Sequence, residues 1–287
     1  MIDEARGALR GATRRGDLAW QDAAMRIAEA TALVTGATGG IGQAIARELA
    51  GRGASLVLTG RRADVLEPLA AELSARAIVA DLSERDGAVR VMEEAGPVDI
   101  LVANAGLPAS GPLTDFSLEE IDRAVDVNLR VPIVMARLAA EQMTSRGRGH
   151  MVFVSSIAGK VAAGGASLYN ATKFGLRGLA LGLREDLRPH GVGVSAIYPG
   201  FIRDAGMFAD AGVSLPPGVG TNTPGDVARA VVRAIEQDRA EIDVAPLPVR
   251  IGVTLGALAP GLFARVQRRG GADKLTQALA EGQRDKR

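Results

Sequence analysis

The 287-residue chain has no cysteine, only two histidines and few aromatic residues, and each shortage closes off a class of chemistry. Without thiols there is no disulfide, no thiolate nucleophile and no cysteine-based metal site, and His150 and His190 alone cannot build a structural zinc centre. Aromatics make up 3% of the chain against 47% hydrophobic residues, so the core must be packed from Ala, Val, Leu and Ile. That composition suits parallel strands covered by Ala-rich helices. Charge of one sign does not prevail either: 34 Lys and Arg face 33 Asp and Glu, with the arginines scattered, which argues against a general role on nucleic acid or an anionic membrane. Long apolar runs are also missing. The first residues carry Asp3, Glu4, Arg6, Arg10, Arg14 and Arg15, unlike a secretory signal. The longest uncharged stretch near the end, Ile251 to Ala264, is 14 residues long, contains Pro260 and is too short to span a bilayer. It reads more simply as a packed C-terminal helix than as a membrane or subunit contact. A cytoplasmic protein is expected.

What is present is an alternation. From residue 31, short β-rich runs are followed by longer helical segments, the signature of consecutive βαβ units. The strands are expected at Thr31 to Thr35, Ser55 to Thr59, Ala77 to Ala80, Ile100 to Ala103, His150 to Ser155, Val192 to Tyr198 and Glu241 to Val244. Helices are expected near 41–51, 63–73, 84–95, 117–146, 167–189 and 224–238, with Ser117 and Glu120 spaced as a capping box. The pattern predicts an α/β fold: a Rossmann-type, doubly wound, parallel seven-stranded sheet in a single domain over residues 31–245. Residues 1–30 read as a flexible N-terminal extension, because Gly7, Gly11 and Gly16 interrupt any helix, or as a start codon placed upstream of Met25. Residues 246–287 read as a tail of short helices.

The run Thr35-Gly36-Ala37-Thr38-Gly39-Gly40-Ile41-Gly42 ends a predicted strand and opens a predicted helix. Glycines there permit positive φ and close approach of a pyrophosphate, whose charge meets free N–H groups and the positive end of the helix dipole. The spacing fits two patterns, Gly36, Gly40 and Gly42 or Gly36, Gly39 and Gly42. At the end of the second strand, where an acid would bind the ribose 2′-hydroxyl of NAD, stand Gly60, Arg61 and Arg62. Guanidinium groups at that place favour a 2′-phosphate, hence NADP(H) over NAD(H), against the plainer reading of two solvated arginines.

Tyr169 and Lys173 stand four apart at the start of a predicted helix, on one face. That spacing alone is common. Ser156 ends a buried strand thirteen residues earlier, at the carboxyl edge where open α/β sheets bind ligands, and Asn128 lies in the long helix before it. A free phenol titrates near pH 10 and needs nearby positive charge to act as a base at neutrality, which a lysine ammonium and an oxidised nicotinamide both supply. In reduction Tyr169 would give a proton to a carbonyl oxygen that the Ser156 hydroxyl also bonds.

With these residues the sequence resembles the classical short-chain dehydrogenase/reductase family. The ordered motifs run from about residue 31 to 245: the Thr-Gly turn, Asp81-Leu82, Asn104-Ala105-Gly106, Asn128, Ser156, Tyr169 through Lys173, and Pro199-Gly200. The resemblance implies an NAD(P)-dependent oxidoreductase with Asp81 at adenine, Asn104 on the adenosine side, Lys173 on the nicotinamide ribose and Asn128 holding a relay water. Leu82, Ala105, Gly106, Pro199, Gly200 and Ile202 complete the implied cofactor surface. It also selects Ser156 over Ser155, places the glycine turn in the classical branch, and implies a homodimer or homotetramer built on the helices at 117–146 and 167–189. One position departs: four residues past Gly200 the family commonly has threonine, and here stands Asp204, expected to turn away and cap the lid helix.

A serine hydrolase is disfavoured, since no Gly-x-Ser-x-Gly elbow is present, and a P-loop nucleotidase lacks its Gly-Lys-Ser/Thr ending. The rival of another class is a non-catalytic NADP-binding regulator, which would have no need of Ser156, Tyr169 and Lys173. The lid segment from Phe201 to Gly220 offers Phe201, Ile202, Met207, Phe208, Val213 and Leu215. It suits a small hydrophobic ketone or alcohol, or simply packs the lid.

Overall fold

The computed structural model describes residues 25–213, 215, 219–269 and 272–283, with no account of the side chains of 269 and 272–275. The first 24 residues of the expected extension lie outside the described residues. Residues 25–30 lie against the domain: Ile27 and Ala30 are buried, and the Glu29 N–H donates to the Gly53 carbonyl.

Seven strands form one parallel sheet: β1 (Thr31–Thr35), β2 (Ser55–Gly60), β3 (Arg76–Val79), β4 (Ile100–Ala103), β5 (Gly149–Val154), β6 (Val192–Pro199) and β7 (Glu241–Val244). Their order is β3-β2-β1-β4-β5-β6-β7, which reverses direction between β1 and β4. The central strands are continuous apolar runs because helices cover both faces; β4 and β5 are buried at every position. One face carries α1 (Gly40–Gly51), α2 (Ala63–Glu72) and a later helix, Pro224–Glu236, through Ile45, Leu49, Leu66, Val227, Val231 and Ile235. The other carries α3 (Gly87–Ala95), α5 (Val131–Arg146) and α6 (Ser167–Leu187), through Val91, Met135, Met143, Leu176 and Ala180, while α4 (Leu118–Val125) packs on α6 through Ala124 and Leu168. Removing a leucine or isoleucine side chain from water contributes about 1.5–3 kcal/mol, so these aliphatic faces replace the missing aromatics.

After β6 come α7 (Met207–Asp210), α8 (Pro224–Glu236) and, past β7, three helices, α9 (Leu247–Leu258), α10 (Pro260–Arg269) and α11 (Ala272–Gly282). The expected helix over 117–146 starts as predicted, with the Ser117–Glu120 capping box formed, but a π turn at Asp126–Arg130 divides it into α4 and α5. The helix expected from 84 begins at Gly87, because Ser83 bonds back to Asp81 and holds the preceding residues in turns. All strands run the same way, so their carboxyl ends gather Thr35, Gly60, Ala103, Val154 and Pro199 on one edge.

Candidate active site

The glycine turn sits on this edge between β1 and α1. Gly36 has φ +64°, and a Cβ there would lie 2.8 Å from the Ala105 backbone. A Cβ on Gly42 would lie 2.2 Å from the Gly36 carbonyl oxygen, whereas one on Gly39 would make an ordinary 3.5 Å contact. A Cβ on Gly40 would meet Ala205 of the lid at 2.2 Å. Packing therefore requires glycine at 36, 40 and 42. No side chain caps α1 and no acid occupies its first turn, so the N-terminal end keeps its positive character. Thr35 and Asn104 clamp the turn to β4: Thr35 Oγ1 accepts from the Asn104 and Ala105 N–H groups at 3.0 Å each, and Asn104 Nδ2 donates to the Thr35 and Gly36 carbonyls at 2.9 and 3.3 Å. The sequence reading missed this role of the Thr35 hydroxyl. Its only signal was a threonine at the last position of a buried strand.

Beside the turn, Arg62 donates to the Thr38 carbonyl at 2.5 Å, and Arg61, half-exposed, stands 3.7 Å from Asp81. Burial alone would raise the Asp81 carboxyl, but the Ser83 backbone and hydroxyl donors and the charges of Arg61 and Arg123 outweigh it and hold the group below its ordinary range. Leu82 is buried next to it. Uncapped N–H groups, close-approach glycines and arginines at the end of β2 form a donor set that fits a dinucleotide phosphate chain.

Ser156, Tyr169, Lys173 and Asn128 converge on the same edge. Ser156 follows β5 in extended backbone; its Oγ accepts from the Ala158 N–H at 3.2 Å and faces the Pro199 carbonyl at 3.5 Å. Tyr169 and Lys173 lie one turn apart on α6. Lys173 is buried, donates to the Val154 carbonyl at 3.2 Å and stands 5.6 Å from the Tyr169 ring centroid. Ser155, the neighbour, instead binds α6 to the sheet by donating to the Lys173 carbonyl at 3.2 Å. The π turn, which widens the helix by one residue, directs Asn128 inward, where it is buried and exchanges two hydrogen bonds with the Leu107 backbone, at 2.7 and 2.9 Å. Gly106 is the floor where these meet. A Cβ there would lie 3.3 Å from Asn128 Oδ1, 3.6 Å from the Met207 methyl and 3.8 Å from Lys173 Nζ.

Burial sets the protonation of this cluster. It raises the Tyr169 phenol above its usual value, with the neighbouring Ser156 hydroxyl pulling the other way, and it pushes the Lys173 ammonium down to about 8. Among these side chains alone, desolvation governs the phenol, and its net shift is opposite to the one the Lys173 spacing suggested.

The lid follows Pro199. Gly200 is tied to β7 by its N–H to the Val244 carbonyl, Ile202 is buried and bridges to Asn222, and the Phe201 and Phe208 rings pack 5.1 Å apart. The expectation for Asp204 is corrected. Gly206, not Asp204, precedes α7, and no side chain caps that helix; Asp204 holds φ +72° and pairs with Arg203 at 3.5 Å in an exposed position. The left-handed backbone at 204 turns its carboxylate away from the helix start.

A doubly wound sheet with a phosphate-type turn and a Ser-Tyr-Lys cluster at its carboxyl edge defines a nicotinamide-dependent oxidoreductase. The chain belongs to the short-chain dehydrogenase family, whose model matches residues 30–213. It is 34% identical over 265 residues to the ketoacyl reductase HetN of Nostoc sp., covering 88% of this chain and 92% of that protein. Two solved structures align closely. A short-chain dehydrogenase from Sphingobium yanoikuyae in complex with NADPH has TM-score 0.70 and 29% identity over 79% of this chain and 93% of its own. A 3-ketoacyl-(acyl-carrier-protein) reductase from Brucella melitensis complexed with NADH has TM-score 0.68 and 28% identity over 76% and 97%.

Proposed function

We propose that the enzyme reduces a hydrophobic carbonyl substrate with NADPH, with Tyr169 as the proton donor. The observation that carries this reading is the convergence of Ser156, Tyr169 and the buried Lys173 at the carboxyl edge of the sheet, beneath an apolar lid. A bound nicotinamide supplies the hydride. The chain's own part is to hold the substrate oxygen between the Ser156 and Tyr169 hydroxyls and to pass the phenolic proton to that oxygen as it gains negative charge. A raised phenol keeps Tyr169 protonated at neutral pH, the form that reduction uses. Lys173 stays next to the ring to favour the phenolate left behind, and Asn128 fixes the floor at Gly106 and Leu107. The ketoacyl reductases among its relatives support an acyl-chain ketone as the substrate class. The preference for NADPH rests on Arg61 and Arg62 standing where an acid would exclude a 2′-phosphate.

The test is a carbonyl panel that includes 3-ketoacyl thioesters, run with NADPH and with NADH. Reduction with NADPH is expected, and Tyr169→Phe should lower kcat by about 10²–10⁴-fold at unchanged Tm. Arg61→Ala with Arg62→Ala should raise KM for NADPH and leave that for NADH nearly constant. Faster turnover with NADH in the parent enzyme would overturn the cofactor assignment, and full activity in Tyr169→Phe would overturn the proton donor. For assembly, Ile133 on α5 and Phe174 and Leu181 on α6 are all about two-fifths exposed, which supports a homo-oligomer formed across these helices.

A further inference from the structure

Past β7 the chain exposes apolar side chains in a regular row. Leu247, Ile251, Leu255 and Leu258 of α9 are 64%, 52%, 60% and 79% exposed. At 3.6 residues per turn they fall within about 80° of the helix circumference. The opposite side of the same helix holds it to the domain. Val253 and Gly256 are buried, and a Cβ on Gly256 would lie 2.7 Å from the Phe263 ring and 3.0 Å from Val161. The outer ridge therefore contributes nothing to anchoring the helix. On α10 the ridge continues through Leu262 and Val266, 61% and 59% exposed and one turn apart, while Phe263 faces inward onto α9.

The charges flanking this ridge have one sign. No Asp or Glu occurs from residue 244 to 272, a stretch that contains Arg250, Arg265, Arg268 and Arg269, in a chain whose charges otherwise nearly cancel. Arg250, Arg265 and Arg268 are exposed. Arg250 and Arg265 each lie about 60° from the start of their helix's ridge on the same side. An apolar ridge on two helices that carry arginines and no acid matches a surface that is apolar within and anionic at its boundary.

We propose that α9 and α10 dock this enzyme in the plane of an anionic lipid surface. The ridge would sink to the acyl boundary, with the arginines at the phosphates. A second copy of the chain fits less well, since neither α9 nor α10 carries an acid that could pair with the other copy's arginines. Docking is also distinct from crossing: α9 and α10 have 12 and 10 residues, and no helix among the described residues is long and apolar enough to traverse a membrane. Because Gly256 of α9 packs on Val161, five residues after Ser156, docking would bring the loop beside the catalytic serine to the lipid boundary.

Co-sedimentation of the full chain with vesicles tests this without any assay of turnover. The protein should pellet with vesicles of equal parts phosphatidylglycerol and phosphatidylcholine, remain in solution with phosphatidylcholine alone, and be released by high salt. Ile251→Glu with Leu255→Glu should weaken partitioning by more than about tenfold, and so should Arg250→Glu with Arg265→Glu. Both positions of each pair are exposed, so Tm should stay constant and serves as the folding control. Failure to pellet with the anionic vesicles, or equal pelleting of the parent and both folded variants, would overturn the proposal. So would a parent that ignores vesicles but forms an oligomer that Ile251→Glu with Leu255→Glu dissociates, which would assign the ridge to a second copy.

Discussion

Asn128 shows how much one polar side chain can hold in place. Its carboxamide accepts from the Leu107 N–H and donates to the Leu107 carbonyl, in a position where neither protein group meets water. Truncation to alanine leaves a buried donor and a buried acceptor unmatched, each costing about 1–3 kcal/mol. Asn128→Ala should therefore lower stability by about 2–6 kcal/mol, read as a shift in the denaturant midpoint. Asn128→Asp keeps the acceptor but sets a carboxylate oxygen against the Leu107 carbonyl, so it should not restore the parent. Because the floor at Gly106 moves with Leu107, kcat should fall in both variants more than KM rises. A variant that keeps both its midpoint and kcat would show that the two bonds to Leu107 are dispensable. Lys173 makes the contrasting case. Its position one turn from Tyr169 was legible in the sequence, but its effect on the phenol was not, since the balance between charge and desolvation depends on how deeply both groups lie.

At the scale of elements, the glycine turn distinguishes residues that spacing left equivalent. Gly42→Ala would force a methyl to 2.2 Å from the Gly36 carbonyl oxygen and open the β1–α1 turn, while Gly39→Ala makes only a 3.5 Å contact. Gly42→Ala should destabilise the fold by more than about 2 kcal/mol, and Gly39→Ala by less than about 1 kcal/mol, both read from Tm. Equal losses would mean that the turn relaxes freely and that packing does not choose between the two glycine patterns. Short β-rich runs followed by longer helical segments made the strands and helices legible, because strands buried on both faces are written as nearly unbroken apolar stretches. The π turn at Asp126–Arg130 escaped that signal. A single added residue shifts the apolar phase by about one position, and α5, with apolar residues on most of its surface, has no sharp phase to shift. The fate of Asp204 was equally invisible, since a positive φ at an aspartate follows from how the lid is anchored at Ile202 and Asn222, not from local sequence. The ridge on α9 reads in sequence as a packed helix and is revealed only by its exposure.

For the whole molecule, the amino edge of the sheet sets how stability depends on pH. His150, the second residue of β5, lies directly opposite Gly193 on β6, and glycine is needed there because a Cβ would lie 2.4 Å from the ring. The imidazole is buried, bonded to the Ser195 hydroxyl at 2.8 Å, and near Asp238 and Arg184, which form their own ion pair at 2.7 Å. Burial is the main influence and lowers the group; Asp238 raises it and Arg184 lowers it, for a net value of about 4 against an ordinary 6.5. The folded protein thus holds this histidine neutral where the unfolded chain binds a proton. The sign follows from linkage: the contribution is complete above pH 6.5 and is lost as pH falls toward 4. Between pH 7.5 and 5 the loss should reach about 2 kcal/mol, seen as a Tm lower by several degrees. Asp226 and Glu241, whose carboxyls are held below their ordinary values of 3.8 and 4.5, lose their contributions only at lower pH, so the window from 6.5 to 5 belongs to the imidazole. His150→Gln should be less stable at pH 7.5 but flatter across that window, because its amide can bond Ser195 without titrating. A parent protein whose Tm is constant from pH 7.5 to 5, or a His150→Gln variant with the same slope as the parent, would remove His150 as the origin of the acid sensitivity.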